Sequence, residues 1–278
     1  MESTAECVTA APSPPLAPFI EGYVGYRMTG FGPGLHRGLP GRHMTFIASI
    51  GPSIDVVAQS DATQSPASYR CVVSGLSART ALIAHDGDQE GVAIELTPLG
   101  SRSLFGVPAR ALWNTSAECA DVAGTAGREL WERLQEVVEW PDRFAACDEV
   151  LTRLVDDDAV VAPELRRAWL GLVSSKGNAS ISGIAADVGW SRQHLARRFA
   201  DEFGLGPKLA GRLVRFGRAR QMLQSTPSFV TIAQVAAACG YYDQAHLNRD
   251  FAEMAGCTPR AWLAEELPSF QDDRASVV

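Results

Sequence analysis

The chain has 278 residues, room for two domains of ordinary size, and its 46% hydrophobic and 21% charged content describes a folded globular protein, which excludes a disordered chain. No apolar run approaches the roughly 20 residues that a membrane helix needs. Glu2 and Glu6 open the sequence with no apolar core behind them, so no export signal is expected, and the reading is a cytoplasmic protein with no membrane partner. The net charge of −7 would argue against nucleic acid if it were evenly spread, but residues 1–175 hold 13 basic and 22 acidic side chains whereas 176–225 holds nine basic and three acidic. An acidic half joined to a basic one is the asymmetry expected when only one half approaches phosphates.

Residues 1–18, rich in Ala, Pro, Ser and Thr, read as a flexible tail. From 42 to 97 short apolar runs predict strands: Met44–Ile50, Ile54–Ala58, Tyr69–Val73, Arg79–Ala84 and Gly91–Leu96. Turn formers such as Gly51-Pro52 and Asp86-Gly87-Asp88 separate them, as in a small sandwich or barrel. After Pro98 the pattern becomes helical. Gly127–Trp140 places Leu130, Leu134, Val137 and Val138 on one face, a core helix or a dimer seam. Pro141 and Pro163 each open a further helix, the second carrying Trp169 and Leu172. Trp113, Trp131 and Trp140 serve either a ligand pocket or the core. The six cysteines are scattered, with no C-x-x-C pair, so reduced thiols and no cofactor are expected. Ser174 to Asn178 has linker composition and marks the boundary between a sensor or dimerisation domain at 19–173 and a second domain at 178–267, with a tail at 268–278.

The second domain repeats itself. Ile181, Ile184, Ala185 and Val188 precede Gly189, and Ile232, Val235, Ala236 and Cys239 precede Gly240. Leu195/Phe199 and Leu247/Phe251 then follow at helical i, i+4 spacing, and Pro207 and Pro259 close the two units. This is the grammar of helix-turn-helix: a first helix, a glycine turn and a second helix with one apolar face. Ser191 is placed to cap the second helix of the first unit, and Thr231 with Gln234 forms a capping-box start. The outward faces of the second helices carry Arg192, Gln193 and Arg197 in one unit and Gln244, His246 and Arg249 in the other. Such a helix fits the major groove of double-stranded DNA, where Arg pairs with guanine through two hydrogen bonds. Between the units, Pro207–Gln224 reads as one long helix whose Arg212 and Arg215 are available for phosphates or for acids of the other half.

Residues 178–266 resemble the DNA-binding domain of the AraC/XylS family, whose second unit typically reads G-[FY]-x-[DS]-Q-x-x-[FL]-x-R-x-F; here Gly240-Tyr241-Tyr242-Asp243-Gln244 through Leu247, Arg249 and Phe251 matches it. The resemblance implies base contacts from Gln193, Ala196 and Arg197 and from Gln244, Ala245, His246 and Arg249. Ala196 and Ala245 depart from the polar readers common in the family. Short phrases in the first half, among them His36 to Pro40 and Thr97 to Gly100, are similar to the regulatory domains of that group. They imply a cupin-like β-rich fold followed by helices, hence an α+β chain, with a small-molecule effector, a homodimer and, for an activator, RNA polymerase as partners. The competing reading is a metal-dependent cupin-type enzyme using His36, His43, His85 and Glu90, but the H-x-H that such sites carry is missing.

Overall fold

The computed structural model describes residues 3–225 and 230–265. Ten strands build the first half in two antiparallel sheets. The larger sheet holds β1 (Thr4–Ala10), β2 (Ile20–Thr29), β4 (Met44–Ser49), β7 (Cys71–Ser74), β9 (Gln89–Leu96) and β10 (Ser116–Glu118), in the spatial order β1-β2-β9-β4-β7-β10. The smaller holds β3 (Gly34–Gly38), β5 (Ile54–Ala58), β6 (Ala67–Tyr69) and β8 (Ala81–His85), in the order β3-β8-β5-β6. Alternation along the strands sends Phe46, Val73, Val92 and Ile94 of the larger sheet into the core.

The expected tail is corrected here. Thr4–Ala10 pairs with β2 from Thr4↔Thr29 to Ala10↔Tyr23, and Leu16 is fully buried. Composition missed the strand because it is an edge strand, exposed over its first three residues, and carries no apolar alternation of its own. The tail at 268–278 lies outside the described residues.

Helices α1 (Ser101–Phe105), α2 (Cys119–Glu136) and α3 (Trp140–Thr152) follow. Leu130 and Leu134 of α2 are fully buried within the chain, so this face is core and not a dimer seam. The helix stops before Val137, which is extended, and Val138 is exposed, because Trp140-Pro141 already starts α3. The expectation of reduced thiols is corrected at one pair: Cys71 and Cys119 form a disulfide, their Cα atoms 5.3 Å apart. Strand β7 begins where α2 begins, and Glu118 accepts hydrogen bonds from the Arg70 and Cys71 backbone N–H groups, which fixes the approach.

The second half is helical: α4 (Pro163–Ser174), α5 (Ile181–Asp187), α6 (Arg192–Phe203), α7 (Pro207–Ser225), α8 (Ile232–Ala238), α9 (Gln244–Met254) and α10 (Pro259–Glu265). Helix α4 packs on α5, α6 and α7, and its Trp169 stacks on Phe199 at 5.9 Å and meets Phe203 at a tilt at 4.9 Å. The segment read as a linker therefore sits inside this packed unit, as a tight turn with positive φ at Lys176 and Gly177. Arg215 donates to the Gly177 carbonyl and holds the turn against α7.

Candidate nucleic-acid interface

Both helix-turn-helix units are built by the same local devices. Gly189 and Gly240 take φ of 72° and 79°, the left-handed turn that glycine adopts without a Cβ penalty. The Ser191 hydroxyl accepts from the His194 N–H at the start of α6, and the Asp243 carboxylate accepts from the His246 N–H at the start of α9. Thr231 and Gln234 complete the expected capping box on α8. Ala185 and Ala236 are buried, so α6 and α9 lie close on the helices before them, pinned by Leu195, Phe199, Leu247 and Phe251, all fully buried.

On α6 the four residues Arg192, Gln193, Ala196 and Arg197 are exposed together, and Arg198 joins them. On α9 Gln244, Ala245 and Arg249 are exposed. His246 is half-buried, its ring edge-on to Tyr241 at 5.1 Å, as His194 stands edge-on to Trp190 at 4.7 Å. The two units thus share an aromatic–histidine bracket across the turn, and His246 sits in it instead of on the open reading face. Tyr242, 94% exposed at the turn of the second unit, is a surface aromatic that the sequence reading did not single out; its place two residues beyond the turn glycine was the available signal.

Arg212 and Arg215 are placed otherwise than expected. Arg212 pairs with Asp250 at 2.8 Å and with Glu253 at 2.6 Å. The Glu253 and Asp250 carboxylates hold its guanidinium above the ordinary arginine range against the cost of burial. Asp250 is buried, so its charge is answered by Arg212 and is not turned toward phosphate. Arg215 is spent on the Gly177 carbonyl and lies over the Tyr241 ring at 5.8 Å. Burial, and after it the Asp250 carboxylate, pushes the Tyr241 hydroxyl upward. Arg212 ties the linking helix to α9, and Arg215 ties it to the Gly177 turn and to Tyr241.

The first reading helix also touches the β-rich half. Arg102 of α1 donates to both oxygens of Glu202 through Nε at 2.8 and 3.0 Å, and Glu202 is buried at the end of α6. Gly204, the left-handed cap of α6, lies so close to Trp113 that a Cβ there would stand 2.6 Å from that of the tryptophan. At the far end Arg37 pairs with Glu265 of α10 at 2.9 Å. No local pattern marks these contacts.

The first half encloses a cavity of about 400 Å³ between its sheets, lined among others by Tyr26, Met28, Ile47, Ile54 and Ile83. None of Trp113, Trp131 and Trp140 lines it. Trp131 donates to the Ser49 carbonyl, Trp140 packs on Gly25, and Trp113 belongs to the contact with α6. The histidines proposed as metal ligands do not converge: His36 and His85 face this cavity, whereas His43 meets Glu21 elsewhere. Glu90 is held by Arg27 and Arg143, and among the described residues no group of three or more His, Cys, Asp or Glu is placed to hold a metal.

The Helix-turn-helix domain family matches residues 184–265. An AraC-type DNA-binding domain-containing transcriptional regulator from Chromobacterium violaceum is 31% identical over 96% of its own chain and 38% of this one, with a TM-score of 0.35. The chain belongs to the AraC-type regulators. It is accordingly a DNA-binding transcription regulator. The C-terminal domain of AraT, a response regulator from Geobacillus stearothermophilus, is 22% identical over 95% of its chain and 41% of this one, with a TM-score of 0.35. The likeness to ToxT from Vibrio cholerae O395 spans both halves, covering 96% of this chain and 99% of that one at 11% identity and a TM-score of 0.51, and it shows that this AraC-type chain shares ToxT's fold. Residues 8–118 match a Domain of unknown function, DUF6597. No curated protein matches the chain. Among the described residues no helix is long and apolar enough to cross a membrane.

Proposed function

We propose that this AraC-type regulator reads two successive major grooves, with Arg192, Gln193, Ala196 and Arg197 of α6 in one and Gln244, Ala245 and Arg249 of α9 in the other. The carrying observation is the pair of capped helices whose polar side chains are exposed together while their apolar sides are fully buried. The packed unit that does this runs from Pro163 to the last described helix, because α4 shares its core. The β-rich half is the sensor: it holds a cavity of ligand size and touches α6 directly, so a change in one half is felt in the other. A homodimer on a two-part site, and contact with RNA polymerase in the case of activation, complete the reading.

The test is selection of bound fragments from random DNA by the full chain, followed by binding at several salt concentrations. A selected motif with two parts about one helical turn apart, and log affinity falling linearly with log salt, are the expected results. Failure to enrich any sequence, or an affinity indifferent to salt, would overturn the proposal.

A further inference from the structure

We propose that the cavity between the two sheets takes an ammonium ligand with an apolar body, a primary or quaternary alkyl- or arylammonium ion. The inference rests on the reading of the β-rich half as a sensor and gives that sensor its ligand class. The walls are apolar from both sides: Met28 and Ile47 come from the larger sheet, Ile54 and Ile83 from the smaller. At about 400 Å³ the space is that of a small organic molecule. Tyr26 adds an aromatic ring, whose face attracts cations.

The charges at the cavity decide the sign of the ligand. Asp55, Asp86, Asp88 and Glu90 line it together with His36 and His85, and among the described residues no Lys or Arg does. Glu90 is already answered by Arg27 at 2.9 Å and Arg143 at 2.6 Å, which do not line the space. Among the described residues, the hydrogen bonds that orient the three aspartates come from neutral donors. Asp55 accepts from the Ser53 hydroxyl, Asp86 from the Asp88 N–H and Asp88 from the Gly30 N–H. Those bonds fix the carboxylates in place and themselves supply no counter-charge. A carboxylic acid entering here would set its anion among three others, whereas an ammonium group at the acidic mouth gains from each and leaves its hydrocarbon to the isoleucines.

An isosteric series tests this on the full-length protein: 4-phenylbutylammonium, 4-phenylbutanol and 4-phenylbutyrate, with benzyltrimethylammonium as the quaternary member, titrated by calorimetry. At least one ammonium ion is expected to bind saturably and about tenfold or more tighter than the alcohol and the acid, and to weaken as salt screens the rim. Asp55→Asn with Asp86→Asn should lower that affinity about tenfold, and Ile83→Trp should abolish it by filling the space. Wild-type preference for the alcohol or the acid, absence of saturable binding by both ammonium ions, or an unchanged affinity in a folded double variant would each overturn the inference. The comparison among ligands on the wild-type chain stands whether or not the variants fold. DNA binding by the same preparations separates the two ideas: retained DNA binding without ammonium binding removes this ligand class and leaves the regulator, whereas loss of DNA binding removes the regulator reading itself.

Discussion

Arginines that look alike in sequence divide in the structure into exposed side chains, the proposed readers, and braces. Arg197 is exposed on α6 and Arg249 on α9, two residues beyond Leu195 and Leu247, which points both away from the core. Replacing either by Ala should cost about 1–3 kcal/mol on the selected site with no change in folding stability. Footprints of the two variants should lose contact at different base pairs; identical losses would remove the two-reader arrangement. Arg212 belongs to the other class. Arg212→Ala leaves Asp250 buried without its partner and should lower the unfolding free energy by roughly 1–3 kcal/mol, less than a fully buried pair because Arg212 is partly exposed. Denaturation in urea measures it, and adding Asp250→Asn should recover part of the loss. A third set concerns acid. Burial alone would raise the Glu90 carboxyl, but Arg27 and Arg143 outweigh it and hold it below the usual carboxylate range. A depressed folded value means that its stabilisation is present above the unfolded carboxyl range and disappears as pH falls through the folded value. Glu90→Gln should therefore weaken the β-rich half at pH 7 and flatten its acid unfolding; an equal loss at pH 7 and at pH 3 would contradict that.

At the scale of elements, the two reading helices stand on short-range devices, and that is why they were legible. A serine cap, a turn glycine and an i, i+4 apolar pair all lie within about a dozen residues, so periodicity and capping rules find them. Ser191→Ala should destabilise α6 by about 1 kcal/mol, seen as faster amide exchange at the start of that helix and not in α9. The first half was legible in its central strands and in the helices over 127–136 and from Pro141. Strand β1 is fixed by pairing with β2, the Cys71–Cys119 bond by the meeting of β7 with α2, and the placement of α4 by Trp169 on Phe199 and Phe203. Each is a contact between distant residues, and no local spacing announces it. The same holds for the reassignment of Arg215, since the Gly177 turn that it clamps looks like an ordinary linker by composition. Gly204→Val gives the sharpest test of the junction between halves. It meets both a left-handed backbone at φ 80° and Trp113. The variant should open the α6–α1 contact, and a shift in the fluorescence of Trp113 with faster protease cleavage between 153 and 162 would report it.

For the whole molecule, Leu134 now has a definite role. It is wholly enclosed by its own chain, so Leu134→Glu should unfold the β-rich half instead of separating two intact copies; a folded monomer from that variant would put α2 back at a dimer interface. The larger consequence comes from Glu202, which is gripped by Arg102 of the β-rich half, the proposed sensor, and belongs to the same helix as Arg197, a proposed reader. Whatever ligand changes the sensor's hold on that helix by a given factor in DNA affinity must itself be held more or less tightly by the same factor once DNA is bound. The operator is then an effector of the sensor: a promoter fragment added to the protein should move the dissociation constant of the small molecule, and different promoters should give one protein different thresholds for the same signal.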